Sequence, residues 1–284
     1  MTDRYAVVGH PIAHSKSPEI HAAFARQTDQ DLTYERLLAP LDGFVDAVAR
    51  FRAEGGLGMN VTLPFKPEAF ALAQQHSPRA LQAGACNTLA WRGNHWYGDN
   101  TDGPGLVRDL DVNLGAALGG RDLLVLGAGG ATRGILGPLL ATRPRSLTLS
   151  NRTMETADEL ARLFTRHGTI RSVAPADLAA LHFDVVINAT STALTGPGAD
   201  FAGTLWPDEI FRNVALAYDL MYADGPTPFL VWARTHGAQR LSDGFGMLLE
   251  QAAESFLVWR GVRPDTAAVY AQLRGGRRSY LRGG

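Results

Sequence analysis

The sequence predicts an α/β protein whose middle part is a doubly wound parallel sheet. Leu123-Leu124-Val125-Leu126 is an apolar run ending in Gly127-Ala128-Gly129-Gly130-Ala131, the pattern of a strand buried on both faces that enters a tight turn. Ile135, Leu136, Leu139 and Leu140 then recur at helical spacing between Ala131 and Ala141. Further short apolar runs, Ser146–Ser150, Asp184–Asn188 and Val214–Tyr218, alternate with helical segments as far as about Gly237. A length of 284 residues suits two domains, and 45% hydrophobic with 19% charged residues is a globular composition.

Strand, glycine turn and helix in that order make a dinucleotide-binding hypothesis. Gly127 permits the tight turn, and Gly129 lets backbone N–H groups approach a pyrophosphate. The helix N-terminus adds partial positive charge for that anion. Thr132 stands where the third glycine of G-x-G-x-x-G belongs, and the competing reading is a glycine-rich turn with no ligand. Beyond the next strand, Asn151-Arg152-Thr153 precedes a helix running to about Arg166. An acid at this strand end would hold a ribose 2′-hydroxyl, whereas arginine suits a 2′-phosphate. Arg152, with no acid at Ser150 or Asn151, favours NADP over NAD. Two more polar turns, Ala189-Thr190-Ser191-Thr192 and Asp219-Leu220-Met221-Tyr222, fall at strand ends where such sheets bind ligands.

Upstream, Tyr5–Gly9 reads as a buried strand, followed by a polar loop to Ser17 and a helix from Pro18 with Ile20, Ala23 and Phe24 inward. Ser15, Lys16 and Ser17 at a helix start suit a carboxylate, but locally the simpler reading is that Ser17 caps the helix and the other two are solvated. Leu32–Leu38 is a second strand. Leu41 to Ala53 is an amphipathic helix with Phe44, Val45, Val48 and Phe51 on its apolar face, stopped by Gly55-Gly56. In Asn60-Val61-Thr62-Leu63-Pro64-Phe65-Lys66-Pro67, strand alternation puts Asn60 and Thr62 on one face, and two prolines fix the backbone around Lys66. That arrangement presents polar groups to a polyhydroxylated ligand. Ser77-Pro78 opens a short helix and Gly93-Asn94 closes a hairpin. Asp102-Gly103 reads as an ordinary turn unless Asp102 meets Lys66, and Gly103 to Gly120 as a connection between domains. Ser242 onward opens a long helix with Leu248, Ala252, Ser255 and Trp259 on one face and Gln251 read as solvent-facing. A last helix spans Pro264 to Leu273, and the basic tail from Arg274 is expected to be disordered.

Composition narrows the function. With 27 basic and 28 acidic residues the net charge is −1, so nothing points to nucleic acid or an acidic membrane surface. The lone cysteine, Cys86, excludes an internal disulfide and a cysteine-rich zinc site, and it has no local base to make it a nucleophile. Pro11 breaks the helix that a metal pair of His10 and His14 would need, so no metal is expected. Neither a signal peptide nor a transmembrane span is visible in the sequence, which makes the cytoplasm the expected compartment.

Taken together, nine motifs in order make the chain resemble the shikimate/quinate dehydrogenase family. They are Gly9–Pro18, Asn60–Lys66, Gly84–Thr88, Asn100–Gly103, the glycine stretch from Gly127, Asn151–Thr153, Asn188–Ser191, Thr227–Leu230 and Asp243–Gln251. The resemblance implies an N-terminal α/β substrate and catalytic domain over 1–103 and a Rossmann-type NADP domain over 104–240. C-terminal helices over 241–284 would return to the first domain. It implies reversible NADPH-dependent reduction of 3-dehydroshikimate to shikimate, in the biosynthesis of chorismate and the aromatic amino acids. Lys66 and Asp102 match the family's catalytic pair. Ser15 and Ser17 match the contacts to the substrate carboxylate. Asn60, Thr62, Asn87, Asp102 and Gln251 match those to the ring hydroxyls, with Tyr222 a further substrate contact. On the cofactor side the matches are Gly127, Ala128, Gly129, Gly130, Ala131, Asn151, Arg152, Thr153, Leu220 and Gly244. The expected partners are a small-molecule substrate and NADP, with no nucleic acid, membrane or metal, in a monomer or homodimer.

The chemistry fits these residue types. Oxidising a secondary alcohol needs hydride departure to nicotinamide and removal of the hydroxyl proton. A lysine can exchange that proton, and an aspartate beside it would orient the lysine and the hydroxyl. Two departures stand out. Thr156 replaces a second basic residue, leaving the 2′-phosphate clamp to Arg152, and Ala193 replaces a glycine after the Asn-Ala-Thr-Ser turn. The rival readings are a broader quinate/shikimate dehydrogenase using NAD and a non-catalytic, dinucleotide-sensing regulator.

Overall fold

The computed structural model describes residues 2–190, 205–274 and 280–282. The chain divides into two compact units, Met1–Gly105 with Leu249–Gly275 and Leu106–Leu248 with Gly276–Gly284. In chain order the elements are β1 (Asp3–Gly9), α1 (Ser17–Gln27), β2 (Leu32–Leu38), α2 (Phe44–Ala53), β3 (Gly56–Val61), α3 (Lys66–Leu72), β4 (Gln75–His76), α4 (Pro78–Ala83), β5 (Thr88–Arg92), β6 (His95–Asp99) and α5 (Asp102–Arg108). There follow β7 (Asp122–Leu126), α6 (Gly130–Ala141), β8 (Ser146–Ser150), α7 (Met154–Phe164), β9 (Ile170–Ser172), β10 (Val185–Asn188), β11 (Leu216–Asp219), α8 (Pro228–Thr235), β12 (Arg240–Asp243), α9 (Phe245–Arg260), α10 (Thr266–Arg274) and β13 (Tyr280–Arg282).

The first unit is built on a six-stranded sheet in the order β2-β1-β3-β5-β6-β4. β1 runs parallel to both its neighbours, whereas β5 is antiparallel to β3 and β6. Ala6, Val8, Met59 and Val61 of the central strands pack against Phe44, Phe51 and Phe65. α2 starts at Phe44, later than its pattern suggested, and faces inward with Phe44, Ala47, Val48 and Phe51. Val45 is 51% exposed, because the helix places it outside the stripe formed by those four. β3 ends at Val61, and Leu63 stands 63% exposed in the following turn.

Ser17 does not cap α1. Lys16 holds the cap position and makes no side-chain bond there, while Ser17 is a buried first helical residue. Ser77, by contrast, caps α4 by accepting from the Ala80 N–H at 3.1 Å.

The second unit carries a seven-stranded sheet ordered β13-β12-β11-β10-β7-β8-β9. All neighbours pair in parallel except β13, which is antiparallel to β12. The order reverses between β7 and β10, the switch point at whose strand carboxyl ends doubly wound folds bind their ligands. Three departures from expectation lie in or beside this unit. The stretch read as a glycine-rich connection contains α5 and a π-helical turn over Asp109–Asn113. Asp109 is buried there, accepting from the Tyr218 hydroxyl at 2.8 Å and the Asn113 amide at 2.9 Å. Arg240–Asp243 forms β12, where the long helix had been expected to open. Tyr280–Arg282 of the expected disordered tail pairs as β13.

His21 on α1 is the most unusual core residue. It is fully buried, stacked on Tyr34 at 4.2 Å and 9°, and also flanked by Phe24, Phe256 and Trp259. Neither ring nitrogen has a hydrogen-bond partner among the described residues. Burial holds its pKa down at about 3, only partly opposed by the nearby Asn60 carboxamide. The folded state therefore keeps His21 neutral while the unfolded chain takes up a proton below its ordinary value of 6.5. Stability contributed this way is present above that value and is lost as pH falls toward 3. Between about pH 6 and 4 the loss is about 1.4 kcal/mol per pH unit. Urea unfolding at several pH values checks this: His21→Phe removes that part of the slope, and an unchanged slope refutes it.

Candidate active site

In the first unit, polar side chains converge on the carboxamide of Asn87, which immediately precedes β5 and is buried. Its Oδ1 accepts from the Thr101 N–H at 2.8 Å and the Thr88 hydroxyl at 2.9 Å. Its Nδ2 donates to Asp102 Oδ1 at 2.8 Å, to Thr101 Oγ1 at 2.9 Å and, at 3.3 Å, to Gln251 Oε1. Gln251, on the second turn of α9, is therefore buried against this group and does not face solvent. Gly105 makes the approach possible, since a Cβ there would sit 2.7 Å from the Gln251 backbone nitrogen.

Asp102 opens α5 and is not a turn residue. Lys66 opens α3, and its Nζ donates to Asp102 Oδ2 at 2.6 Å, with the two side chains 23% and 13% exposed. The carboxylate is thus held at both oxygens, by Asn87 on one side and Lys66 on the other. The Lys66 ammonium has three donors, and among the described residues Asp102 takes only one of them. The Lys66 carbonyl accepts from the Cys86 N–H at 3.0 Å, which ties the start of α3 to the segment that carries Asn87 into β5.

Asn60, at the penultimate position of β3, is more deeply embedded than its motif suggested. Its Oδ1 accepts from the Tyr34 hydroxyl at 2.7 Å, and its Nδ2 donates to Ser255 Oγ at 2.9 Å and to Thr88 Oγ1 and the Asn87 carbonyl at 3.3 Å. Thr62 lies in the next turn, its methyl so close to Gly9 that a Cβ on Gly9 would sit 2.4 Å away. In the loop after β1, Ser15 and Ser17 join hydroxyl to hydroxyl at 3.2 Å. Arg36 of β2 fixes that loop through the Ser15 carbonyl and Glu19.

Several supporting residues gave no sequence signal. Buried Asp99 receives a two-pronged bond from Arg79 at 2.7 and 2.8 Å and another from the Asn100 N–H at 2.7 Å, which fixes the segment leading to Asp102. Tyr34 and Ser255 looked like strand and helix-face residues; only the three-dimensional pairing shows them in the network.

The second unit holds the glycine cradle. Gly127 has φ +100°, and a Cβ there would come within 3.1 Å of the Ala189 carbonyl at the β7–β10 switch point. A Cβ on Gly129 or Gly130 would meet nothing within 4 Å among the described residues, which leaves room over the start of α6 for a ligand. Ala128 and Ala131 complete this turn, Ala131 being exposed. Thr132, at the missing third glycine, is buried with its hydroxyl donating to the Gly127 carbonyl at 2.9 Å. It therefore braces the turn that the pattern suggested it would spoil. Ser150 ends β8 fully buried, its hydroxyl accepting from Trp206 Nε1 at 3.1 Å. Asn151 donates to the Thr153 carbonyl at 2.9 Å, and Thr153 occupies the cap position of α7. Arg152 is exposed and carries no ion pair among the described residues. A close approach at the ends of β11 and β12 accounts for Leu220 and Gly244: a Cβ on Gly244 would sit 2.2 Å from the Leu220 carbonyl oxygen. Tyr222 follows in this unit, its ring 5.9 Å from Phe245. Asp219 beneath them binds Asn188, Thr227 and the Met221 N–H, and burial pushes its pKa up to about 6. Ser191 and Ala193 lie outside the described residues.

The donors fit a phosphorylated dinucleotide: an open glycine turn at a helix start for the pyrophosphate, and a guanidinium one strand away, with no ion pair among the described residues, for a 2′-phosphate. A half-buried lysine–carboxylate pair and such a cradle are the parts of a dinucleotide-dependent oxidoreductase. Residues 7–89 match the shikimate dehydrogenase substrate binding domain, 112–195 the shikimate / quinate 5-dehydrogenase domain, and 244–274 the shikimate 5'-dehydrogenase C-terminal domain. A shikimate dehydrogenase (NADP(+)) of Aromatoleum aromaticum is 58% identical over 96% of this chain and 97% of its own. An Ael1 enzyme from Pseudomonas putida superposes with TM-score 0.89 at 48% identity, covering 96% of this chain and 98% of that one. Shikimate 5-dehydrogenase from Thermus thermophilus, solved in complex with NADP(H) and shikimate, gives TM-score 0.85 at 33% identity over 97% of this chain and 100% of that one. The chain belongs to the shikimate dehydrogenase family.

Asn87→Ala would strand the Thr101 N–H and leave Asp102 Oδ1 without its donor. Unfolding in urea should show a loss of about 2–4 kcal/mol for these two buried groups; a loss below about 1 kcal/mol contradicts the central position given to Asn87.

Proposed function

We propose that the chain catalyses the reversible NADPH-dependent reduction of 3-dehydroshikimate to shikimate, a step of chorismate and aromatic amino acid biosynthesis. The carrying observation is the 2.6 Å Lys66–Asp102 pair, built into a hydroxyl-binding network in a chain of this family. NADP, when bound, takes or returns the hydride. Lys66 holds the proton at the reacting oxygen, giving it to the carbonyl oxygen on reduction and recovering it on oxidation. Asp102 keeps the ammonium in place and accepts from a ring hydroxyl. Ser15 and Ser17 receive the substrate carboxylate, whose charge suits paired hydroxyl donors beside a helix start. Asn60, Thr62, Asn87 and Gln251 address the ring hydroxyls, and Tyr222 matches a further substrate contact. The carboxamides of Asn60 and Asn87 are also bonded within the protein, which fixes their orientation.

Gly127 to Ala131 cradle the pyrophosphate, while Asn151, Arg152 and Thr153 receive the adenosine 2′-phosphate. Leu220 and Gly244 border the nicotinamide side. Among the described residues no helix is long and apolar enough to cross a membrane. We place the enzyme in the cytoplasm, as a monomer or homodimer working without nucleic acid.

The deciding assay follows nicotinamide reduction with shikimate or quinate against NADP or NAD. Shikimate with NADP is the preferred pair; equal turnover of quinate with NAD overturns the narrow assignment, and no turnover of any pair favours a sensing role. Lys66→Ala should lower kcat by at least about 100-fold with KM changed only a few-fold. A rise in KM alone would make Lys66 a binding residue. Arg152→Ala should raise KM for NADP about tenfold or more and leave KM for NAD nearly unchanged, since one charge-assisted phosphate contact is lost. Equal changes with both cofactors would move the phosphate site elsewhere.

A further inference from the structure

We propose that Tyr34 is a positioning residue for the Lys66–Asp102 pair, acting through Asn60 and the backbone of Asn87; the proposal rests on the reaction assigned above. The chain of contacts is continuous within the first unit. The Tyr34 hydroxyl donates to Asn60 Oδ1 at 2.7 Å and, with the acceptor-only Asn87 carbonyl on the Nδ2 side, sets the sense of that carboxamide. Nδ2 must then face Ser255 Oγ at 2.9 Å, with Thr88 Oγ1 and the Asn87 carbonyl at 3.3 Å. The same Asn87 carbonyl accepts from the Val61 N–H at 2.8 Å, so strand pairing and the Asn60 amide hold it together. From Asn87 the side chain reaches Asp102 Oδ1 at 2.8 Å, and Asp102 Oδ2 meets Lys66 Nζ at 2.6 Å.

Tyr34 is itself held firmly. It lies on β2, the edge strand, opposite Tyr5 in the register with β1. Its ring stacks on buried His21 at 4.2 Å and 9°, with Trp259 at 6.2 Å. Burial keeps the phenol well above the usual tyrosine range, with Ser17 nearby pulling it back, so the hydroxyl remains a donor at every working pH. Through Ser17 the phenol also borders the loop assigned to the substrate carboxylate. Removing the hydroxyl leaves Asn60 Oδ1 a buried acceptor with no donor. The carboxamide is then held from the Nδ2 side alone, by Ser255, Thr88 and the Asn87 carbonyl, and the support under Asn87 loosens.

Tyr34→Phe keeps the ring and its stacking and removes only the donor. Wild type, Tyr34→Phe, Asn60→Ala and the double variant are compared for kcat and both KM values with shikimate and NADP, normalised to the folded fraction from urea unfolding. Tyr34→Phe should show kcat about tenfold lower, the effect of one buried hydrogen bond, with both KM values within about twofold. Adding Tyr34→Phe to Asn60→Ala should change kcat no further, because the phenol acts through Asn60. Unchanged kcat per folded molecule, even with a lower melting temperature, overturns the proposal. So does an additive double variant, or a rise confined to KM for shikimate, which would make Tyr34 a direct substrate contact. Failure of the reaction itself would appear separately, as wild-type protein that does not turn over shikimate with NADP.

Discussion

The catalytic unit depends on one requirement: a buried carboxamide must have every donor and acceptor paired. Asn87 offers two N–H groups and one carbonyl oxygen, and the structure supplies partners for all of them from β5, the start of α5 and α9. Displacing any of those segments would leave one of these buried groups unpaired, at about 1–3 kcal/mol per group, and that penalty helps to fix the site's geometry. The Arg79–Asp99 bond does the same service one step back, holding the backbone that delivers Asp102. Apolar packing makes the unit stable; these directional bonds make it specific.

Backbone approach plays the equivalent part in the cofactor unit. Gly244 stands where two segments pass too closely for a Cβ, at the Leu220 carbonyl, and Gly127 combines a φ of +100° with a tight approach to the Ala189 carbonyl. Gly129 and Gly130 have open space above them instead, so their use is to leave room for a ligand. Two kinds of glycine therefore share one motif, and Thr132 fits neither requirement. Its side chain turns inward, where the hydroxyl satisfies the Gly127 carbonyl. The deviation from the familiar glycine spacing changes how the turn is held without closing the cradle.

Much of this was legible in the residues. β2 and β8 fall on the residues their patterns marked, and the strand–turn–helix around Gly127 is as expected; for β7 and β8, burial on two faces leaves a strong local signature. What the sequence hid was set at long range. Asp102-Gly103 has the composition of a turn, yet bonds from Lys66 and Asn87 anchor it at the head of a helix. β12 is short, and its pairing with β11 decides its form over the helical look of the residues after it. Gln251, Ser255 and Tyr34 resemble ordinary surface, helix-face and strand residues until partners 164, 195 and 26 positions away are brought to them. Conversely Val45 matched the apolar stripe of its helix and lies outside it, since a single helix face does not reveal where its neighbours stop.

The placement of Lys66 and Asp102 at two helix starts gives their pairing a further meaning. An anion at the head of α5 is favoured by the helix dipole, whereas an ammonium at the head of α3 receives no such help. Lys66 is therefore retained chiefly by Asp102, and Asp102 is held independently by its helix and Asn87. A proton exchanged at Lys66 leaves the carboxylate where it was, because two of its three supports do not involve the lysine. That asymmetry suits a reversible reaction, in which the lysine must give up and recover a proton without the site coming apart between the two directions.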